Sequence, residues 1–170
     1  AVFVAPRSGS GRLFRNIRDS KKLSADAREE WFSAFKKNPA IFYHSTSVGP
    51  RAIDRLGLGV AVRRGLARLL KAGAKKHDVL RAERGHEVLL DGSLFAPLQY
   101  RQKTIIKGDE KIPVIAAASI IAKVRRDRYM VRLAKKFPQY GFEIHKGYGT
   151  KMHRERIRQF GLSKVHRKTF

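Results

Sequence analysis

Asp91 closes a run of three apolar residues, Val88, Leu89 and Leu90, and is followed by Gly92. A carboxylate at the end of a buried strand sits where α/β folds open onto their functional crevice. There it can hold Mg²⁺ or Mn²⁺, because hard cations take hard oxygen ligands. The competing reading is an Asp-Gly turn in which the carboxylate caps its own backbone. Asp127 is the second candidate. It stands beside Arg125, Arg126 and Arg128, with Ile120 and Lys123 on its helical face and Ser119 two turns back. It could equally be a surface acid paired with Lys123. Asp109, in Lys107-Gly108-Asp109, is a weaker candidate that could simply finish a strand. The third feature is His145-Lys146-Gly147-Tyr148-Gly149-Thr150. Glycines on both sides of Tyr148 permit close backbone approach to a ligand. Such a tyrosine either stacks on a sugar or base while Lys146 meets phosphate, or packs inward as part of a structural loop. The histidines show no zinc-ligand spacing, and no glycine-rich phosphate loop is present.

The elements that must position these groups are legible from periodicity. Residues 1 to 5 alternate as a short strand. Ser24 is a plausible N-cap for a helix over 25 to 37, with Ala27, Trp31, Ala34 and Phe35 as its core stripe. Ile41 to Val48 is rich in aromatic and β-branched residues and predicts a strand. Pro50 suits a helix start, and Ile53, Leu56, Val60, Leu66, Leu69 and Leu70 give that helix an apolar face ending at Gly73. A basic connector follows over 74 to 86. Residues 87 to 92 and 104 to 107 predict strands. Pro113 opens the longest helix, 113 to 136, apolar nearly all round in its first half and basic after Lys123. A glycine-rich loop over 141 to 150 precedes a last helix from 151 to 160. Strands interspersed with helices predict an α/β layered domain with one mixed sheet.

Charge narrows the partner. The chain has 170 residues, 38 Lys+Arg against 14 Asp+Glu, a net charge of +24 and a pI near 11.1. Such an excess points to nucleic acid first and an anionic membrane surface second. No helix sets a sharp Trp/Phe/Leu face against a Lys/Arg face, which disfavours the membrane. The longest apolar run, Val114 to Ala122, falls well short of the ~20 residues that span a bilayer. Cysteine is absent, which excludes disulfides, thiolate metal sites and cysteine nucleophiles and fits a cytoplasmic setting.

Taken in order, these segments resemble type 2 ribonuclease H (ribonuclease HII). The matching stretches are Asp19-Ser20-Lys21-Lys22-Leu23, Leu90-Asp91-Gly92, Ile115 to Val124 with Arg126-Asp127-Arg128, Tyr140-Gly141-Phe142, His145 to Thr150, and the closing His166-Arg167-Lys168-Thr169-Phe170. The resemblance covers essentially the whole chain. It implies a ribonuclease-H-like mixed five-stranded sheet flanked by helices, with a catalytic core over 1–137 and a C-terminal substrate-contacting loop and helix over 138–170 in the same domain. It further implies a monomer that cleaves the RNA strand of RNA–DNA hybrids and nicks duplex DNA at embedded ribonucleotides. Four acidic residues of the family bind divalent metal, Mg²⁺ or Mn²⁺, and the resemblance matches two of them to Asp91 and Asp127. By the same analogy Tyr148 reads the ribose at the RNA-to-DNA junction, and Lys21, Lys22, Lys123 and Lys146 lie along the nucleic-acid groove. The family opens on a strand bearing Asp-Glu-Ala-Gly-Arg-Gly, a segment this chain does not contain; Ala1 to Ala5 resembles the strand that follows it. The expectation is therefore a truncated or degenerate start, with weak metal binding and severely impaired catalysis. The alternative is a non-catalytic basic RNA- or DNA-binding protein of the ribosomal type, which composition alone favours.

Overall fold

The computed structural model describes residues 2–4, 14, 17, 23–77 and 87–169. Ser24 opens helix α1 (Ala25–Lys37) as expected, its hydroxyl accepting the Ala27 amide at 3.1 Å. Lys36 and Lys37 occupy the last turn, where the helix dipole favours cations. The core face of α1 is Phe32 and Phe35; Ala34, expected in that stripe, is exposed. Strand β1 (Val2–Val4) pairs antiparallel with β2 (Ile41–Tyr43), Val4 opposite Ile41. The strand predicted over 41 to 48 stops at Tyr43 because the ladder spans only three positions.

The apolar stripe after Pro50 becomes two helices, α2 (Pro50–Leu56) and α3 (Leu58–His77). Gly57 breaks it at φ 75°, a conformation open to a residue without Cβ. Next, β3 (Val88–Asp91) pairs in parallel with β4 (Gln102–Ile105), Asp91 opposite Ile105. Parallel pairing puts both C-terminal ends at one edge, which is where Asp91 is delivered. Among the described residues the single mixed sheet is thus two two-stranded ladders, one antiparallel and one parallel.

Beyond β4 the chain enters a one-turn helix, α4 (Gly108–Lys111), through Lys107 at φ 55° and ψ 45°. Then come α5 (Pro113–Ala134), a 3₁₀ turn at Pro138–Tyr140, the short α6 (Phe142–His145) and α7 (Lys151–Phe160). Thr150 caps α7 by accepting the His153 amide at 3.3 Å. Helix α5 organises the molecule. Its first half buries Ala117, Ile120, Ile121 and Val124 against Phe14, Phe32, Phe35 and Ile41. Its second half packs Met130 and Ala134 on Tyr140 and Phe142. Phe35 is almost wholly enclosed, with Trp31 and Phe14 rings 5.5 Å and 6.1 Å away. Phe35→Ala is expected to cost about 3–5 kcal/mol through lost burial and the cavity left behind, as a shift in the urea midpoint.

Candidate functional site

Asp91 does not cap its own turn. Its Oδ1 accepts the backbone N–H of Gly108 at 2.7 Å, tying the end of β3 to the start of α4. Its Oδ2 has no hydrogen-bond partner among the described residues, and the side chain is half-buried. Among the described residues one carboxylate oxygen is therefore fixed and the other has no partner. The approach is tight. A Cβ on Gly108 would stand 2.7 Å from Ile115 Cδ1 and 3.3 Å from Asp91 Oδ1, so any side chain there must displace the Ile115 tip. The next residue, Asp109, is only 5% exposed in a protein of strong positive charge. It begins the first turn of α4 instead of ending a strand. Two acids thus flank one peptide unit, Asp91 bonded to it and Asp109 following it.

Asp127 is placed elsewhere. Lys123 Nζ donates to its Oδ1 at 2.8 Å, and Arg28 of α1 stands 3.9 Å from its Oδ2. The alternative of an acid paired with Lys123 is what the structure contains. Position along α5 separates it from Asp91: Ile115 reaches Gly108, and Asp127 lies twelve residues further, about 18 Å along the axis. Carboxylates sharing a metal pair stand around ions only ~4 Å apart. Asp127 thus stands on a different stretch of α5 from Ile115, the residue that reaches the Asp91 turn. Asp127 neutralises cations in a groove of about 400 Å³ between α1 and α5, which Arg28, Arg128, Arg132 and Lys146 line.

The glycine loop is presented to that groove. Tyr148 is 52% exposed, so it does not pack inward. Lys123 Nζ lies 5.1 Å and the Arg126 guanidinium 5.8 Å from its ring centroid, holding cations over an aromatic face. Arg126 also donates to the Lys146 carbonyl at 3.2 Å. Lys146 takes φ 51°, and its ammonium donates back to the Glu143 carbonyl. Gly147, at φ 79°, passes so close to α5 that a Cβ would meet Met130 Cε at 3.0 Å. The structure thus brings together Lys123, Asp127, Lys146 and Tyr148, and sets Asp91 apart from them. Lys21 and Lys22 lie outside the described residues.

Asp91 and Asp109 are hard oxygen donors of the type Mg²⁺ or Mn²⁺ prefers. Among the described residues no group of three or more His, Cys, Asp or Glu is arranged to hold a metal ion. These two acids fit such an ion as part of a ligand set. From the sequence Asp109 is a weak candidate, and Arg28 and Arg126 are not candidates. The available signal was the rarity of acids in a chain with 14 of them against 38 bases.

The sequence model of a family described as Ribonuclease HII matches residues 4–170. A Ribonuclease HII from Prochlorococcus marinus is 44% identical over 174 residues, covering 100% of this chain and 85% of the relative. One from Coxiella burnetii is 39% identical over 158 residues, covering 93% of this chain and 74% of the relative. Among solved structures, the PCNA:RNase HII complex from Archaeoglobus fulgidus contains a chain similar at TM-score 0.68 and 26% identity, covering 98% of this chain and 82% of that one. The ribonuclease H2 of Pyrococcus horikoshii OT3 has the same fold at TM-score 0.66 and 22% identity, covering 100% and 92%.

Proposed function

The chain belongs to the ribonuclease HII family and has its ribonuclease-H-like fold, and from that premise we propose a divalent-metal-dependent endonuclease that cuts the RNA strand of RNA–DNA hybrids and nicks duplex DNA at embedded ribonucleotides. The observation that carries the reaction centre is the Asp91 carboxylate, with one oxygen fixed on the Gly108 amide and the other unpartnered among the described residues. Asp91 and Asp109 would hold the ion. When bound, Mg²⁺ or Mn²⁺ supplies charge neutralisation of the phosphodiester, a hydroxide at neutral pH and stabilisation of the leaving 3′ oxygen.

The chain's own groups do the remaining work. Gly108 N–H fixes one oxygen of Asp91 at the end of the β3–β4 ladder. Lys123, Arg126 and Lys146 meet backbone phosphates, and the field of a +24 chain draws in the duplex. Tyr148 contacts the ribose, whose 2′-OH distinguishes RNA from DNA. Asp127 holds Lys123 and Arg28 in place and so takes a positioning role. Helix α5 runs through both core clusters, which supports one domain with 138–170 as its substrate-contacting part, acting as a monomer. Among the described residues no helix is long and apolar enough to cross a membrane. The absence of cysteine supports a cytoplasmic setting.

The experiment is cleavage of a duplex carrying one ribonucleotide, with millimolar Mn²⁺ and enzyme in excess. Incision at the ribonucleotide, absent with chelator and on an all-DNA duplex, is expected. Equal binding of both duplexes with no incision at any metal concentration would favour the non-catalytic basic protein. Tyr148→Ala is expected to lower affinity for the hybrid by about 1–3 kcal/mol, the worth of one aromatic stacking contact, with the salt slope unchanged. Lys146→Ala should weaken hybrid and DNA alike and make that slope shallower by about one.

A further inference from the structure

Three histidines from separate segments gather behind the Tyr148 loop. His145 and His153 are buried, their rings stacked 4.1 Å apart. His153 and His166 touch through their Nε2 atoms at 3.1 Å. The Phe142 ring lies 5.8 Å from His145, 5.8 Å from His153 and 5.5 Å from His166, filling the space between them. Catalysis as described above uses none of the three.

Their partners fix where each proton sits. Ser163 N–H donates to His166 Nδ1 at 3.0 Å, and the Ser163 hydroxyl lies 2.8 Å from the same atom. His166 Nδ1 is therefore an acceptor, and its proton is on Nε2. That proton is donated to His153 Nε2, which leaves the His153 proton on Nδ1, facing the Tyr148 carbonyl at 2.9 Å. Likewise Gly147 N–H donates to His145 Nδ1 at 3.1 Å, so His145 Nε2–H donates to the Tyr140 carbonyl at 2.7 Å. Every ring nitrogen has a partner in the neutral form. A second proton on His153 would leave its Nδ1–H on the Tyr148 carbonyl and set its Nε2–H against that of His166.

We propose that His153 and His166 are positioning residues of the substrate-reading loop: a proton-ordered relay from Ser163 through both rings holds the Tyr148 carbonyl. The functional half of this inference rests on the ribose-contacting role given to Tyr148.

Burial pushes the pKa of both rings below the ordinary imidazole value and the neighbouring histidines push it the same way, against the backbone hydrogen bonds to Tyr148 and Ser163, which favour the charged form. With the folded value depressed, the unfolded chain binds more protons. The contribution to stability is therefore present above the ordinary value of ~6.5 and is lost as pH falls through the folded values. The groups facing the pair from each packed element are His145 of α6, Tyr140 of the 3₁₀ turn, Ser163 of the C-terminal segment and Tyr148 of the loop. Lys146 and Arg126 stand at the loop's outer side. No carboxylate bonds to any of the three rings among the described residues, so nothing there compensates a second proton.

Two readouts on the 170-residue chain test this. Long-range ¹⁵N–¹H spectra at about pH 7.5 should show the Nδ1–H tautomer for His153 and Nε2–H for His166, and the Tyr148 and Thr150 amides should shift with the rings on acidification. In chelator at about pH 7.5, His153→Leu should lower the preference for an RNA–DNA hybrid over the matching DNA duplex about threefold to tenfold, one positioned hydrogen bond's worth. His153→Asn keeps a donor near the Nδ1 position and should retain the preference. The opposite His153 tautomer, loop amides that ignore the ring titration, or equal preference in His153→Leu and His153→Asn would overturn the relay. If tautomers and loop shifts are as stated but Tyr148→Ala leaves hybrid preference intact, the relay stands and the role given to Tyr148 fails.

Discussion

Asp91→Asn is expected to lower Mn²⁺-dependent cleavage of an RNA–DNA hybrid by roughly a thousandfold, about 4 kcal/mol of lost transition-state charge stabilisation. Asparagine keeps the shape and can still accept the Gly108 N–H through its carbonyl, so the β3–α4 junction remains closed. What it removes is the anionic oxygen that would face the ion. Hybrid affinity in chelator should stay within about threefold, because the phosphate contacts proposed above belong to the α1–α5 groove and the glycine loop, away from Asp91. Enzyme in excess makes a slow single turnover visible. Cleavage unchanged by this substitution would remove Asp91 from the reaction. Asp109→Asn should follow the same pattern. Asp127→Asn should retain cleavage within about tenfold, its effect being loss of the Lys123 and Arg28 ion pairs.

Gly108→Ala should damage both folding and reaction. The added methyl would meet Ile115 Cδ1 at 2.7 Å, and Ile115 is buried in the first turn of α5. Overpacking of that kind costs about 1–3 kcal/mol. The same methyl crowds Asp91 Oδ1 at 3.3 Å, so the carboxylate is displaced from its amide even where the fold survives. The expected result is a lowered urea midpoint together with a cleavage loss well beyond what the unfolded fraction explains. A variant that is destabilised but fully active per folded molecule would show that the Asp91–Gly108 contact only closes the turn.

The parts of the fold that were legible in the sequence are those with strong local signals. Ser24 and Thr150 announce helix starts through side chains that satisfy free amides, and both caps are formed. The apolar run after Pro113 fixes α5 because a helix buried on most faces needs apolar residues all round. Other features depend on contacts that no local pattern carries. A four-residue helix such as α4 is too short for periodicity to declare, and it is entered through Lys107 in a left-handed conformation usually left to glycine or asparagine. Asp109 was undervalued for that reason. Asp127 attracted attention because it interrupts a basic stretch, yet the bases around it are what neutralise it. Among the described residues β2 covers the three positions that pair with β1, a long-range contact no local pattern shows. Tyr148 stands out between its glycines in the sequence, but its exposure goes with Gly147 lying against Met130, a contact across the fold.

The placement of the reacting centre at the β3–α4 junction is tested most directly by Mn²⁺ titration of the ¹⁵N-labelled chain. Paramagnetic broadening should begin at Gly92, Gly108 and Asp109 and be lost in Asp91→Asn, with Lys123 and Asp127 sharp at the same Mn²⁺ concentration. Broadening centred on Asp127, or unaffected by Asp91→Asn, would contradict it.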